Sequence, residues 1–468
     1  MTITFFPARL RGIAEGIPSK SCMHRLLIGA ALAGTPCEIP CRLFSKDMAA
    51  TLRTVPALYP EGRPALDGRY DGARILLTRS DRNPCPDAPA PAAEARFGEQ
   101  VSGMAASLAG GGMIDVGESG STFRFVLPVL AALGREAVLT GAGRLAARPI
   151  SPLYELLVDH GAVLSEKGRF PLRVGGRLRG GRYTLPGNIS SQYISGLMMA
   201  LPLCREDSEI FVEGRLQSRP YAVMTAALLT RFGIRMEETE TGWRIPGGQC
   251  YALTAPGGPL SGNAEGELPV LLCENDYSNA AFFLTAGALS DDETGVSGLC
   301  APSLQGDAAI EELLARFGAS VRREGDVLLC RGPRLRGTVI DASDIPDLVP
   351  VLALVASAAE GTTVIGGVSR LRFKESDRLA TVSGTLNALG ADVTAEDDRL
   401  VIRGRSRLCG GQADSANDHR IAMMAAVASL VCSGPVTVTG FEAVEKSYPG
   451  FLRDFAALGG VYRITDGQ

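Results

Sequence analysis

Five segments of this chain repeat one local pattern, and few folds are open to a chain built that way. Each runs from a helix-like stretch into a glycine and then into a short alternating stretch. Residues 157–161 are followed by FPLRV, 229–233 by GWRI, 314–318 by DVLLC, 386–390 by RLVIRG and 455–459 by VYRI. The closing glycines, Gly161, Gly233, Gly318, Gly390 and Gly459, are spaced 72, 85, 72 and 69 residues apart. A glycine just past the last apolar helical residue can take the left-handed turn that ends a helix, and the alternation after it is that of a strand. A more diverged copy spans 47–78 and lacks the glycine. Units of this length exceed the roughly 20–50 residues of common solenoids. They predict domains assembled from a few α+β units, and 468 residues suit two such domains better than one core.

A second pattern concerns helix starts. Lys20-Ser21-Cys22-Met23-His24-Arg25 runs into LLIGAALA, and Glu118-Ser119-Gly120-Ser121-Thr122-Phe123-Arg124 into FVLPVLAAL. Ser190-Ser191-Gln192-Tyr193, Lys374-Glu375-Ser376-Asp377-Arg378 and Asn417-Asp418-His419-Arg420 open three more apolar runs. A helix N-terminus carries free N–H groups and about half a positive charge, so it attracts anions. Five such ends, most with Lys or Arg, predict a site for substrates bearing several phosphates or carboxylates. These helices are apolar nearly all round, which predicts that they are buried with sheets outside them.

The remaining composition excludes several classes. A net charge of −4 lacks the basic stripe of a nucleic-acid binder, yet a local positive pocket can sit in an acidic protein. No apolar run reaches the roughly 18 residues of a membrane span, and the first residues lack a signal-peptide pattern, so a cytoplasmic protein is expected. The eleven cysteines form no C-x-x-C pair, and Cys37 and Cys41, the closest two, have no neighbouring His. No metal site is expected, and the thiols read as free or buried. Residues 81–97, rich in Pro and Ala, and 246–268, rich in Gly and Pro, read as insertions. The helix start at Asn275-Asp276-Tyr277-Ser278-Asn279 lies just after the second, and a domain crossover is expected there.

The ordered set of motifs resembles one family. Lys20-Ser21 with Arg25, ESGSTFR at 118–124, Arg148-Pro149-Ile150, SSQ at 190–192 and Ser218-Arg219-Pro220-Tyr221 come first. Asp344-Ile345-Pro346-Asp347, Lys374-Glu375-Ser376-Asp377-Arg378, Asp418-His419-Arg420 and Lys446-Ser447-Tyr448-Pro449 follow. Together they resemble 5-enolpyruvylshikimate-3-phosphate synthase over almost the whole chain, the 81–97 insertion excepted. The resemblance implies an α+β fold of two domains, each of three βαβαββ units with buried helices and outer sheets, and an active site in the cleft between them. It implies a discontinuous domain of residues 1–18 plus 273–468 and a second of 19–272. It also implies a monomer that acts on small molecules, binds neither nucleic acid nor membrane, and needs no metal or organic cofactor.

The implied reaction moves the enolpyruvyl group of phosphoenolpyruvate onto the 5-hydroxyl of shikimate 3-phosphate and releases phosphate. Carbon 3 of the donor must gain a proton while the hydroxyl attacks the neighbouring carbon, so an acid and a base are needed. By resemblance phosphoenolpyruvate meets Lys20, Gly120, Arg148, Gln192, Arg378, Arg420 and Lys446. Shikimate 3-phosphate meets Lys20, Ser21, Arg25, Ser190, Ser191, Gln192, Ser218, Asp347 and Lys374. Arg124 is expected to steady the anionic end of the site, and Tyr221 to stack or hydrogen-bond near the acceptor. The catalytic set is Asp347 for the 5-hydroxyl, Glu375 for the proton at carbon 3, and Lys20 for the bridging oxygen. Glyphosate, which competes with phosphoenolpyruvate in this family, is expected to bind beside Gly120, where an alanine methyl would hinder it more than the donor.

Each assignment has a plainer reading. Asp347 could cap a helix beginning at Leu348. Glu375 could form a surface ion pair of little consequence. Arg25 and Arg124 could pair with buried acids. His24 reads as structural and His160 as a helix-end residue, while His419 is a further candidate because of its motif. Met23, Lys46, Glu118 and Arg370 depart from common family residues, and Arg370 is left out of the site. The rivals are UDP-N-acetylglucosamine enolpyruvyl transferase, an RNA 3′-phosphate cyclase and a non-catalytic repeat-built binding protein. The first uses a cysteine-bearing loop, but residues 117–148 contain no Cys. Cationic residues on both halves predict like charges facing across the cleft, which would favour an open form until the acceptor binds.

Overall fold

The computed structural model describes residues 1–80, 112–255, 258–259, 268–332 and 334–465. The 81–97 insertion and much of 246–268 lie outside them. The chain is an α+β protein with two hydrophobic cores. One is formed by residues 3–17 and 277–458, the other by residues 22–271. The chain passes between them twice, at 17–22 and at 271–277. These two passages lie side by side: Pro18 and Asn275 form an antiparallel bridge, Ser19 N–H donates to Glu274 O, and Asp276 N–H donates to Ile17 O.

Among the described residues the α-helices are α1 (Lys20–Ala33), α2 (Lys46–Thr54), α3 (Gly120–Leu133), α4 (Leu153–Asp159), α5 (Ser191–Ala200), α6 (Arg219–Thr230), α7 (Tyr277–Ala288), α8 (Ile310–Phe317), α9 (Val349–Ala358), α10 (Arg378–Ala388), α11 (His419–Ala428) and α12 (Phe451–Ala457). The repeat is visible in them. In the unit at 113–176, strand Met113–Asp115, α3 and strand Ala137–Thr140 make a parallel crossover. Then α4 leads to an antiparallel pair, Ala162–Leu164 with Leu172–Gly176. Four further sheets have the same strand order. Three units are completed from a distance, one of them by strand Gly12–Glu15, which pairs in parallel with Thr294–Ser297. The N-terminal strand Thr2–Phe6 inserts between Val436–Thr439 and Val461–Thr465 and so closes the last unit. The first unit has only three named strands, and Val270 pairs in parallel with Glu38 where the fourth would lie.

The five glycines that end the repeated helices all have positive φ, between 73° and 101°, as a helix stop requires. Alternate helices serve different layers. The first helix of each unit (α1, α3, α5, α7, α9 and α11) is buried almost all round, and these helices pack against one another inside each half. The second helices are amphipathic; α8, for instance, buries Ile310, Leu313, Leu314 and Phe317 at helical spacing. Close packing of the inner helices constrains sequence: a Cβ on Gly196 of α5 would lie 2.3 Å from Arg124 O of α3.

Candidate active site

The N-termini of the inner helices of both halves converge. Lys20 and Ser21 of α1, Ser121 and Arg124 of α3, Ser190 to Gln192 at α5, Ser278 of α7, Asp347 before α9, and His419 and Arg420 of α11 line one cavity between the two cores. Ser218 and Tyr221 at α6, and Lys374, Glu375 and Arg378 at α10, complete its wall, with Arg25, Arg148 and Arg370. The caps explain where these helices start: Ser19, Ser119 and Ser190 accept from Cys22, Thr122 and Gln192 N–H. Two of the five starts expected to bind anions already hold a carboxylate. Asp377 caps α10 and Asp418 caps α11, so those helix ends are satisfied from within.

Asp347 is the hub. Its Oδ1 accepts from Arg378 Nη1 at 2.7 Å and Lys374 Nζ at 3.3 Å, and its Oδ2 from Arg420 Nη2 at 3.1 Å and the Tyr221 hydroxyl at 3.3 Å. Burial opposes ionisation of this carboxyl, but Arg420, Lys374, Arg378 and Lys20 outweigh it and hold it well below the usual carboxylate range. The helix-cap reading is excluded, since the cap of α9 is Leu348 and no side chain bonds it. Glu375 is likewise no solvated surface pair. It bridges Arg148 Nη1 at 3.3 Å and Arg378 Nη2 at 2.7 Å, at 22% side-chain exposure. Burial again raises its carboxyl, and Arg148, Arg378, His419 and Lys374 bring it well below the usual range. Arg378 also meets the fully buried Asp418 at 2.7 Å. Lys20 Nζ bonds Asp47 at 2.8 Å.

Thirteen of the fifteen residues assigned to the donor, the acceptor or the catalytic set line the cavity; Gly120 and Lys446 do not. A Cβ on Gly120 would lie 2.6 Å from Nη1 of both Arg124 and Arg148. The methyl of an alanine would therefore meet both guanidiniums, Arg124 and Arg148. Lys446 Nζ is bonded to Glu118 Oε2 and Asn417 O, both at 2.7 Å. That ion pair and Arg148–Glu375 cross between the halves, as do Tyr221–Asp347 and Arg370–Ser218. The like charges expected to face each other are thus offset in part: Arg148 and Lys446 each meet a carboxylate of the opposite half.

Arg25 and Arg124 do not pair with buried acids among the described residues. Arg25 bonds Thr225, Ser195, Ser21 O and Tyr221 O, and Arg124 bonds Gln192, Gly120 O and Pro149 O. Burial lowers both guanidiniums to about 10. His24 is structural, bonded to Thr51 in the core of its half, and His160 ends α4 stacked on Tyr183. His419 carries more than its motif suggested. It is buried, lines the cavity, and neither ring nitrogen has a partner. Burial and the nearby Lys20, Arg420 and Arg378 push it well below its ordinary range. The departures also have places. Met23 fills the core, Lys46 pairs with Glu445 at the surface, and Arg370 bonds Ser218 Oγ at 2.6 Å. Among the described residues no cluster of acidic, His or Cys side chains could hold a metal, and no helix is long and apolar enough to cross a membrane.

Comparison with known proteins agrees along the whole chain. The family described as EPSP synthase (3-phosphoshikimate 1-carboxyvinyltransferase) matches residues 99–455. A 3-phosphoshikimate 1-carboxyvinyltransferase of Clostridium kluyveri is 35% identical over 463 residues, 98% of this chain and 97% of the relative. One from Clostridium acetobutylicum is 37% identical over 456 residues, 97% and 96% of the two chains. Among solved structures, the EPSP synthase of Acinetobacter baumannii has a TM-score of 0.73 at 23% identity, covering 99% of this chain and 100% of the other. The enolpyruvyl transferase NikO of Streptomyces tendae has a TM-score of 0.72 at 18% identity, covering 100% and 99%. These two likenesses concern the fold.

Proposed function

From the premise that this chain belongs to the EPSP synthase (3-phosphoshikimate 1-carboxyvinyltransferase) family, we propose how its residues divide the work. The chain is a transferase of the shikimate pathway. It moves the enolpyruvyl group of phosphoenolpyruvate to the 5-hydroxyl of shikimate 3-phosphate and releases phosphate. The observation that carries the assignment of roles is Asp347, an ionised carboxylate among Arg378, Lys374, Arg420 and Tyr221 where the inner helices converge. Asp347 takes the proton of the 5-hydroxyl. Ser190, Ser191, Ser218, Gln192 and Lys374 hold the acceptor's phosphate and ring, with Ser21 and Arg25 at its far side. Arg148, Arg378, Arg420, Lys20, Gln192 and Lys446 hold the donor, with Gly120 backing Arg148. Forked guanidiniums suit both of the donor's anionic groups.

Glu375 must carry a proton to deliver one to carbon 3, yet Arg148 and Arg378 favour its ionised form. Donor anions that draw those two guanidiniums to themselves would reverse this and raise its proton affinity. Lys20 Nζ stabilises the bridging oxygen as the phosphate leaves, and Glu375 or its neighbour then takes the proton back from carbon 3. The same reading makes the chain a cytoplasmic monomer with a 1–18 plus 273–468 domain and a 19–272 domain, the two cores supporting that division. The test is phosphate release from phosphoenolpyruvate given shikimate 3-phosphate, run beside UDP-N-acetylglucosamine. Release only with the sugar nucleotide would overturn the acceptor.

Two substitutions probe the two ends of the site. Arg370 has a buried Nε without a partner and bonds Ser218, so it supports an added contact to the acceptor's phosphate. Arg370→Met should raise the KM for shikimate 3-phosphate roughly 10–100-fold, the worth of one hydrogen bond to a charged group, and leave the KM for phosphoenolpyruvate nearly unchanged. Equal rises in both would show a merely structural role. Gly120→Ala should displace Arg148 and weaken phosphoenolpyruvate and glyphosate together, since both depend on that guanidinium. Inhibition and Michaelis constants of the two forms check this, and a loss confined to glyphosate would restore direct steric hindrance.

A further inference from the structure

Of the five cations assigned to the donor, Lys20, Arg148, Arg378 and Arg420 line the cavity and Lys446 does not. Lys446 is held instead by an acid of the opposite half. Its Nζ donates to Glu118 Oε2 and to Asn417 O, both at 2.7 Å, and Asn417 Nδ2 donates to the same Glu118 oxygen at 3.0 Å. Glu118 stands in the turn ahead of α3, and its carboxylate is seated over Gly143. A Cβ on Gly143 would lie 2.5 Å from Glu118 Cδ, and Gly143 has φ 58°, so a side chain at 143 would close the place the carboxylate occupies. We propose that Glu118 is an internal competitor of the donor: its carboxylate occupies the ammonium of Lys446, and phosphoenolpyruvate binds by taking that cation over.

The pair is placed to exchange. Glu118 is 33% exposed and Lys446 11%. When the ammonium turns to the donor, water and the Asn417 amide still satisfy the carboxylate. The Arg378–Asp418 pair of the same site, 1% and 0% exposed, has no such replacement and stays. The donor's anionic groups and the Glu118 carboxylate offer Lys446 the same kind of acceptor, so each weakens the hold of the other. A glutamine at 118 keeps the shape and an acceptor oxygen but gives up the charge-assisted part of the bond. A second pair, Lys46–Glu445, crosses between the halves one residue away and joins two residues outside the site. Breaking it loosens the same seam without freeing Lys446.

The inference rests on the proposed reaction for the identity of the donor, and its test is read both with and without turnover. Glu118→Gln should lower the KM for phosphoenolpyruvate roughly five- to ten-fold, between the worth of an exposed ion pair and that of a hydrogen bond to a buried charge. The KM for shikimate 3-phosphate should stay as it is. Calorimetric titration of the full chain with phosphoenolpyruvate alone should show the same tightening. In a Lys446→Met background Glu118→Gln should bring no gain, because the cation it frees is gone. Lys46→Met should leave both Michaelis constants unchanged. An unchanged or raised donor KM in Glu118→Gln would overturn the proposal and make Glu118 a support of Lys446. An equal gain in the Lys446→Met background would overturn it in favour of bare repulsion of the donor. An equal gain in Lys46→Met would overturn it in favour of a looser seam. Wild type that releases no phosphate with shikimate 3-phosphate would be a failure of the reaction instead, and the calorimetric comparison would still decide the competition.

Discussion

Replacing Asp347 by asparagine should lower turnover by about 10²–10⁴-fold, the range of a lost general base. The substitution keeps the shape and removes only the charge. Shikimate 3-phosphate binding should change far less, because Ser190, Ser191, Ser218 and Lys374 remain. Lys374→Met should show the reverse order, with weakened acceptor binding leading the loss. The surroundings sharpen the expectation. Arg378, Lys374 and Arg420 all bond the Asp347 carboxylate, so an amide there also leaves three cations short of an anion. The folded carboxyl titrates well below its unfolded value. Its ionised form therefore stabilises the fold above the ordinary Asp pKa, and that contribution is lost as pH falls toward the depressed folded value. Wild type and Asp347→Asn should then differ most in stability near neutral pH and converge in acid. Steady-state kinetics with calorimetric titration decide the catalytic half, and near-normal turnover of Asp347→Asn would remove it from the catalytic set.

Arg378→Met should be the most damaging substitution for the fold. The guanidinium is 1% exposed and joins three carboxylates, Asp347, Glu375 and Asp418. Asp418 is fully buried, so it would lose its cation without gaining water. Breaking a buried pair in this way costs about 3–5 kcal/mol. Arg378→Lys should recover only part, because one ammonium cannot span three acceptors that a planar fork reaches together. Urea unfolding of the three forms measures the difference. A loss below about 1 kcal/mol would place Arg378 with ordinary surface pairs.

The two substitutions separate what this centre does. Asp347 and Arg378 bond each other, so their effects are not additive, and a double-mutant cycle would return a coupling energy. A large coupling in stability with little coupling in turnover would mean that Arg378 holds the wall of the site while Asp347 acts on substrate. Glu375, bonded to Arg378 and Arg148, is the natural third corner of the cycle.

What the sequence determined by itself is local. The glycine stops, the Ser and Asp caps and the alternation after each helix depend on a few neighbouring residues, so the repeat, the α+β class and the inner helices were legible. Helices apolar on every side had to be buried, and their polar starts had to find a common place. The plainer readings that failed were also judged locally: a cap for Asp347 and a solvated pair for Glu375 ignored what lies across the cavity. Tertiary structure alone decided which charge meets which. Lys446 and Glu118 are 328 residues apart in sequence and 2.7 Å apart in space. The orphaned nitrogens of His419 and the Ser218 contact of Arg370 arise the same way. An ion pair or a hydrogen bond acts over a few ångströms and has no sequence period. It exists only after two cores have formed and two strands have been laid side by side between them.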